Sequence, residues 1–197
     1  MINIGILIFN DIELLDFAGP YEVFSVTNEL NNYNLCKTFT IEEQNRTIES
    51  VNGLKIIPDY SFKNCPKIDI LVIPGGVGTK ALLEQQKVLK WVRERYDETE
   101  LTFSVCSGTR ILGKIGLLNN VKYTTHHEIM KDMNQIAPGG IIVSGKKFID
   151  NGKLLTSAGI SAGIDLSLYL VEKMFGKEIR ERTQRYMEYG DWEKIKV

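Results

Sequence analysis

The sequence predicts a three-layer α/β domain built on a mostly parallel sheet. Three observations lead there. The apolar runs Ile4–Phe9, Ile70–Ile73 and Leu101–Val105 are continuous rather than alternating, as strands buried on both faces are. Each is followed by glycine or proline punctuation and then by a helical pattern, the alternation that places helices over a parallel sheet. Polar and apolar residues alternate instead from Phe39 to Ile57 around Asn52-Gly53, and from Ile141 to Ser157 around Asn151-Gly152, two hairpin-turn signals that add antiparallel strands.

The helical segments follow from spacing. Between Lys80 and Tyr96, residues Leu82, Leu83, Gln86, Leu89, Val92, Arg93 and Tyr96 fall three or four apart, which predicts one helix with a face for the sheet. Ile160 to Phe175 repeats the pattern, and Gly176 fits a helix stop. The segment Lys177 to Val197 is rich in charge, with Arg180, Arg182 and Arg185. Acidic residues interrupt it, so it reads as a solvated helix and not as a nucleic-acid site. No repeat or linker divides the chain, and residues 1–197 are expected to form a single domain.

Composition excludes several function classes. A formal net charge of -1 gives no overall field for nucleic acid or anionic membrane. No apolar run approaches the ~20 residues that span a bilayer. The start MINIGILIFN runs into a strand pattern and lacks the features of a secretion signal. The three cysteines leave one unpaired in any disulfide scheme and include no C-x-x-C pair, so neither a zinc nor a redox motif is expected. A reducing cytoplasm is the simplest setting, and there a lone thiol stays reactive.

The rule that α/β sheets bind ligands at the carboxyl ends of their strands singles out three loops. After Val105 comes Cys106, within Ser104-Val105-Cys106-Ser107-Gly108, ahead of a helix from Thr109 to Lys114. Small residues on both sides of a nucleophile let strand and helix approach at a sharp elbow. A thiol at the positive end of a helix is expected to favour the thiolate, the nucleophilic form. After Ile73 comes Pro74-Gly75-Gly76, whose amides are expected to face a substrate or a developing anion together with Ser107. An ordinary tight turn is the competing reading. After Phe9 comes an acidic loop in which Asp16 and Glu22 stand among apolar and small residues. Desolvation raises a carboxyl pKa in such surroundings and suits it to proton transfer. A helix cap for Asp16 and an ion pair for Glu22 are the plain alternatives. Finally, Thr124-Thr125-His126-His127 carries both histidines. His126 is a candidate base for Cys106, or a histidine satisfied by backbone near the pocket. Adjacent histidines point apart, so no metal set is evident.

Taken in order, several of these segments resemble the ThiJ/PfpI superfamily over nearly the whole chain, from Ile4 to about Phe175. They are Asp16-Phe17-Ala18-Gly19-Pro20-Tyr21-Glu22-Val23-Phe24, Pro74-Gly75-Gly76, Ser104-Val105-Cys106-Ser107-Gly108, Thr124-Thr125-His126 and Thr156-Ser157-Ala158-Gly159-Ile160. The first and last are most similar to the isonitrile (isocyanide) hydratase branch, a pattern that also occurs in sensor-like domains of larger AraC-type regulators. The resemblance implies a flavodoxin-like α/β/α sandwich of the class I glutamine amidotransferase type, and a homodimer. It also implies Cys106 as nucleophile and Asp16 as catalytic acid. Two positions depart from the branch: Ser107 stands where threonine is common, and His127 where tryptophan often follows T-T-H.

The expected activity is hydration of a small-molecule isocyanide to an N-substituted formamide. Cys106 attacks, Asp16 supplies the proton, and the Gly75, Gly76 and Ser107 region orients the ligand. No cofactor is called for. A glyoxalase or deglycase activity on small carbonyl compounds, or another hydrolysis, stays open, as does a cysteine redox sensor or ligand-binding module.

Overall fold

A computed structural model describes residues 1–195. Its strands are β1 (Ile2–Leu7), β2 (Cys36–Glu42), β3 (Ile48–Glu49), β4 (Lys55–Ile56), β5 (Tyr60–Ser61), β6 (Ile70–Ile73), β7 (Leu101–Ser104), β8 (Lys122–Tyr123), β9 (Ile141–Ile142), β10 (Phe148–Asn151) and β11 (Leu154–Ser157). Its helices are α1 (Leu14–Glu29), α2 (Thr79–Leu82), α3 (Gln86–Glu98), α4 (Thr109–Lys114), α5 (Met130–Ile136), α6 (Ala162–Phe175) and α7 (Lys177–Tyr186).

Seven strands form the main sheet in the order β10-β11-β7-β6-β1-β2-β5. Every pairing in it is parallel except β10 with β11. The apolar runs read from the sequence lie at its centre, and Ile4, Ile6, Val72, Ile73 and Phe103 are buried. The chain steps from β1 to β2 in one direction and from β6 through β7 to β11 in the other. Right-handed crossovers therefore put α1 on one face and α3 and α4 on the opposite face. Helix α6 packs on α1, and α7 packs on both, while α4 contacts α2 and α5. The result is the flavodoxin-like α/β sandwich, with the strand order reversing between β1 and β6. That reversal opens a crevice at the carboxyl ends of β1, β6 and β7.

Three sequence expectations need correction. The stretch Phe39 to Ile57 is not one antiparallel addition. Its first part belongs to β2, which pairs parallel with β1, and only β3 and β4 form a hairpin around Asn52-Gly53, as a separate two-stranded sheet. The single helix over Lys80–Tyr96 is two, α2 and α3, because Gln85 leaves helical geometry at φ -93° and ψ 88°. The turn residues before it bond three back, with Glu84 N–H on Ala81 and Gln85 N–H on Leu82. The charged segment after Gly176 is not wholly solvated, since the Thr183 hydroxyl of α7 is buried against Thr27 of α1 at 3.0 Å. Its last two positions, 196 and 197, lie outside the described residues. Asn151-Gly152 does turn the β10–β11 hairpin, and α6 ends at Gly176.

Candidate active site

Cys106 sits between β7 and α4 with φ +55°, a conformation that costs an L-residue strain and holds the side chain at the apex of a sharp turn. The turn is tight because Gly108 passes beneath the end of β6. A Cβ there would lie 2.1 Å from the Ile73 carbonyl oxygen. The Cys106 N–H donates to Ala158 O at 3.0 Å, and its carbonyl accepts the Thr125 hydroxyl at 2.7 Å and the Thr109 hydroxyl at 3.2 Å. The elbow is thus fixed from both sides.

Asp16 lies in the first turn of α1 and is fully buried. Its Oδ2 accepts the Gly75 N–H at 2.9 Å, while Oδ1 is buried with no aligned hydrogen bond. The carboxyl also interacts with the Cys106 thiol and the Ile160 N–H. Burial pushes Asp16 up to about 7, against the lowering effect of the Gly75 N–H and the thiol. Cys106 is pushed up to about 12, first by burial and then by the Asp16 charge, against the N–H groups of Ser107 and Ile160 that face the sulfur.

This corrects the expectation of a thiolate favoured by the helix end. Burial and a neighbouring carboxylate outweigh the N–H groups, so the resting sulfur is a thiol. The proton between sulfur and carboxyl belongs to the pair. Passing it from sulfur to Asp16 makes a thiolate and a carboxylic acid side by side without changing the charge of the site.

The glycine loop also needs correction. Neither of its two amides is free for a ligand: Gly75 N–H is held by Asp16, and Gly76 N–H by Ser107 Oγ at 2.9 Å. Ser107 Oγ in turn donates to Gly76 O at 3.1 Å. Their role is to clamp the carboxylate and the elbow together. Only glycine fits at 75, where a Cβ would meet Ser107 N at 2.5 Å and Asp16 Oδ2 at 2.7 Å. The amides that reach the sulfur are those of Ser107 and Ile160.

The other candidates separate. Glu22 is exposed and lines a different cavity, with Tyr21, Ile57 and Asp59. His126 is half-buried, and its Nδ1 accepts the Glu128 N–H at 3.3 Å, capping the short turn His127–Ile129. Among the described residues no hydrogen bond joins it to Cys106, and the side chain that interacts with the thiol is that of Asp16. His127 is exposed beside it, the two rings 4.4 Å apart.

Residue-type reasoning overlooked three participants. Ile160 holds φ +47°, rare for a β-branched residue, and so turns its N–H to the sulfur. Thr125 braces the elbow carbonyl. Arg110, one turn after Cys106, is buried and links Thr79 at 3.2 Å to Asp132 at 2.7 Å. Ile160 and Thr125 stood in the quoted motifs without a role, and Arg110 carried no signal beyond its place after the elbow.

The chain is 30% identical over 192 residues to isonitrile hydratase from Pseudomonas putida, covering 96% of this chain and 79% of that protein. It is 26% identical over 177 residues to the HTH-type transcriptional regulator GbdR from Pseudomonas aeruginosa, and there it spans about half the relative, 48%. Among solved structures, a THiJ/PfpI family protein from Pseudomonas syringae superposes with a TM-score of 0.85 at 28% identity, over 95% of this chain and 74% of that one. The DJ-1/PfpI family profile matches residues 3–173. With its parallel sheet and matching motifs, the chain belongs to the DJ-1/PfpI family.

Proposed function

We propose that this protein hydrates isocyanides to N-substituted formamides, with Cys106 as nucleophile and Asp16 as the acid and then the base. The observation that carries the reading is the buried Asp16 carboxyl beside the Cys106 thiol, one of its oxygens without an aligned donor. The similarity to an isonitrile hydratase supports it.

The reaction balances with these two groups. The thiolate forms a C–S bond to the terminal isocyanide carbon, and that carbon takes the proton held by Asp16. The product is a thioimidate, R–N=CH–S–Cys106, beside an Asp16 carboxylate. The carboxylate then removes a proton from water as the water oxygen bonds to the same carbon, and passes that proton to the imine nitrogen, leaving the tetrahedral R–NH–CH(OH)–S–Cys106. The C–S bond breaks as the hydroxyl becomes the formyl C=O, and the hydroxyl proton passes through Asp16 to the sulfur, releasing R–NH–CHO and returning the thiol. The Ser107 and Ile160 N–H groups stabilise sulfur while it bears charge.

The test is formamide production from an alkyl isocyanide. Wild type is expected to turn over, and Cys106→Ala and Cys106→Ser to be inactive. Undiminished turnover by Cys106→Ala overturns the mechanism. A homodimer and a reducing cytoplasmic setting belong to the same proposal. Exposed Leu15, Val51, Leu54 and Ile57 on α1 and around the β3–β4 hairpin offer apolar surface for a second copy. A sedimentation mass of two chains is expected, and a mass of one chain refutes the dimer.

A further inference from the structure

The peptide that joins Cys106 to Ser107 carries two groups with different partners. Its N–H, that of Ser107, faces the Cys106 sulfur. Its carbonyl, that of Cys106, meets the hydroxyls of Thr125 and Thr109. The peptide is trans and planar, so the two groups point to opposite sides and neither turns without the other. The plane rotates only about ψ of Cys106 and φ of Ser107. Whatever holds the carbonyl therefore also aims the N–H.

The hydroxyls form a small network. Thr125 Oγ1 lies 2.7 Å from the Cys106 carbonyl oxygen and Thr109 Oγ1 3.2 Å from it, and the two hydroxyl oxygens are 2.6 Å apart. Three contacts share two protons, since each hydroxyl donates once. The two shortest contacts each hold a proton when Thr125 donates to the carbonyl and Thr109 donates to Thr125. Bonds in such a chain polarise one another. Electron density is drawn towards the Cys106 oxygen, and the Ser107 N–H becomes a better donor to a charged sulfur. Both threonines are buried, so water does not take the place of either hydroxyl. Thr125 is itself held in position. The Thr124 N–H before it donates to the buried Thr156 hydroxyl at 3.0 Å, and the Thr124 hydroxyl donates to Lys146 O at 3.3 Å. Thr109 is the first residue of α4, so the network ties the elbow helix to the segment after β8.

We infer that Thr125, backed by Thr109, is a positioning residue for the thiolate: through the Cys106–Ser107 peptide it keeps the Ser107 N–H on the sulfur while the sulfur carries charge. The inference rests on Cys106 as the nucleophile and adds a residue that acts on the sulfur through one peptide plane. Loss of the hydroxyl frees the carbonyl, the plane turns, and the thiolate loses a donor.

The test is the rate at which iodoacetamide alkylates Cys106, a reaction of the thiolate that needs no isocyanide. Mass spectrometry of the Cys106 peptide separates it from labelling at Cys36 and Cys65. Thr125→Val keeps the shape of the side chain and removes the hydroxyl, and Thr125→Ser keeps the hydroxyl and removes the methyl. Thr125→Val is expected to slow alkylation about tenfold, the worth of one hydrogen bond to a charged group. Thr125→Ser is expected to stay near the wild-type rate. A Thr125→Val rate equal to wild type overturns the proposal, and so does a Thr125→Ser variant as slow as Thr125→Val, which would make Thr125 a packing residue. Should Thr125→Val not fold, Thr109→Val carries the test. Thr125 keeps its own bond to the carbonyl there, so a smaller fall of about threefold is expected from loss of the backing bond, and an unchanged rate overturns the proposal. With an alkyl isocyanide, Thr125→Val is expected to lower kcat and leave KM near its wild-type value. If alkylation responds as expected while wild type turns over no isocyanide, the hydration reading fails and the positioning role stands. If wild type and Thr125→Val turn over isocyanide with the same kcat, the hydration reading stands and the positioning role fails.

Discussion

The Asp16 carboxyl and the Cys106 thiol come from the ends of two different strand-to-helix connections, yet share one buried site in which burial holds a proton on each, the carboxylate charge makes the sulfur harder to ionise, and the thiol's hydrogen bond eases ionisation of the carboxyl. The carboxyl reaches up to about 7 and the thiol up to about 12, so between those values the pair holds a single proton. The reactive arrangement, thiolate beside carboxylic acid, has that same proton count. It is therefore absent when both groups are protonated and available once one proton has left.

The rate should follow this count. In the proposed hydration, kcat/KM is expected to rise as pH increases through about 7 and then to stay level through pH 9. Asp16→Asn should remove the inflection near 7 and lower kcat/KM by about 10²–10⁴, the usual worth of a placed proton donor. A profile of the variant that retains the wild-type inflection assigns it to another group.

Stability has the opposite dependence on the same carboxyl. Asp16 is raised above its ordinary 3.8 in the folded chain. Between about 4 and 7 the folded state keeps a proton that the unfolded state releases, so stability falls as pH rises across this window, and the loss is complete above about 7. Asn at position 16 carries no such penalty and can still accept from Gly75. The difference in Tm between Asp16→Asn and wild type should therefore move in favour of the variant from pH 4 to pH 8. A constant difference across that range would mean that Asp16 is not raised in the fold.

Much of this arrangement was legible in the sequence, and the illegible part has a physical cause. Ile4–Phe9, Ile70–Ile73 and Leu101–Val105 gave away the sheet because burial on both faces leaves no polar alternation. The elbow showed in the small residues around Cys106. The sense of its proton affinity did not, because it depends on how deeply Asp16, ninety residues earlier, is buried against it. The Gly75 and Gly76 amides read as ligand donors because glycine signals close approach, but sequence does not tell whether a ligand or a carboxylate approaches. His126 attracted attention by residue type, whereas its ring serves a local cap. Ile160 was passed over because an apolar side chain hides the use of its backbone.

The strained backbone of Cys106 can be measured directly. Cys106→Ala and Cys106→Gly both remove the sulfur, but only glycine adopts φ +55° without a Cβ penalty. Cys106→Gly is expected to be more stable than Cys106→Ala by about 1 kcal/mol in denaturant unfolding. Ordinary elbow geometry, with no strain to relieve, would give the reverse order, since glycine also loosens the unfolded chain.

Arg110 is the support of this turn with the most specific geometry. Its guanidinium bridges Thr79 and Asp132, and Thr79 in turn donates to Gly76 O at 2.8 Å, within the loop that clamps Asp16. Asp132 is half exposed and can return to water, so the loss in Arg110→Met is that of a buried hydrogen bond and its packing, about 1–2 kcal/mol. Arg110→Lys should not restore the loop, because one ammonium on a shorter reach cannot serve two partners as the planar fork does. Both variants are expected to lower kcat more than they raise KM, and to shift the inflection near 7 as the Gly75 contact to Asp16 loosens. A loss of Tm with an unmoved pH profile would confine Arg110 to stability and leave the proton pair independent of it.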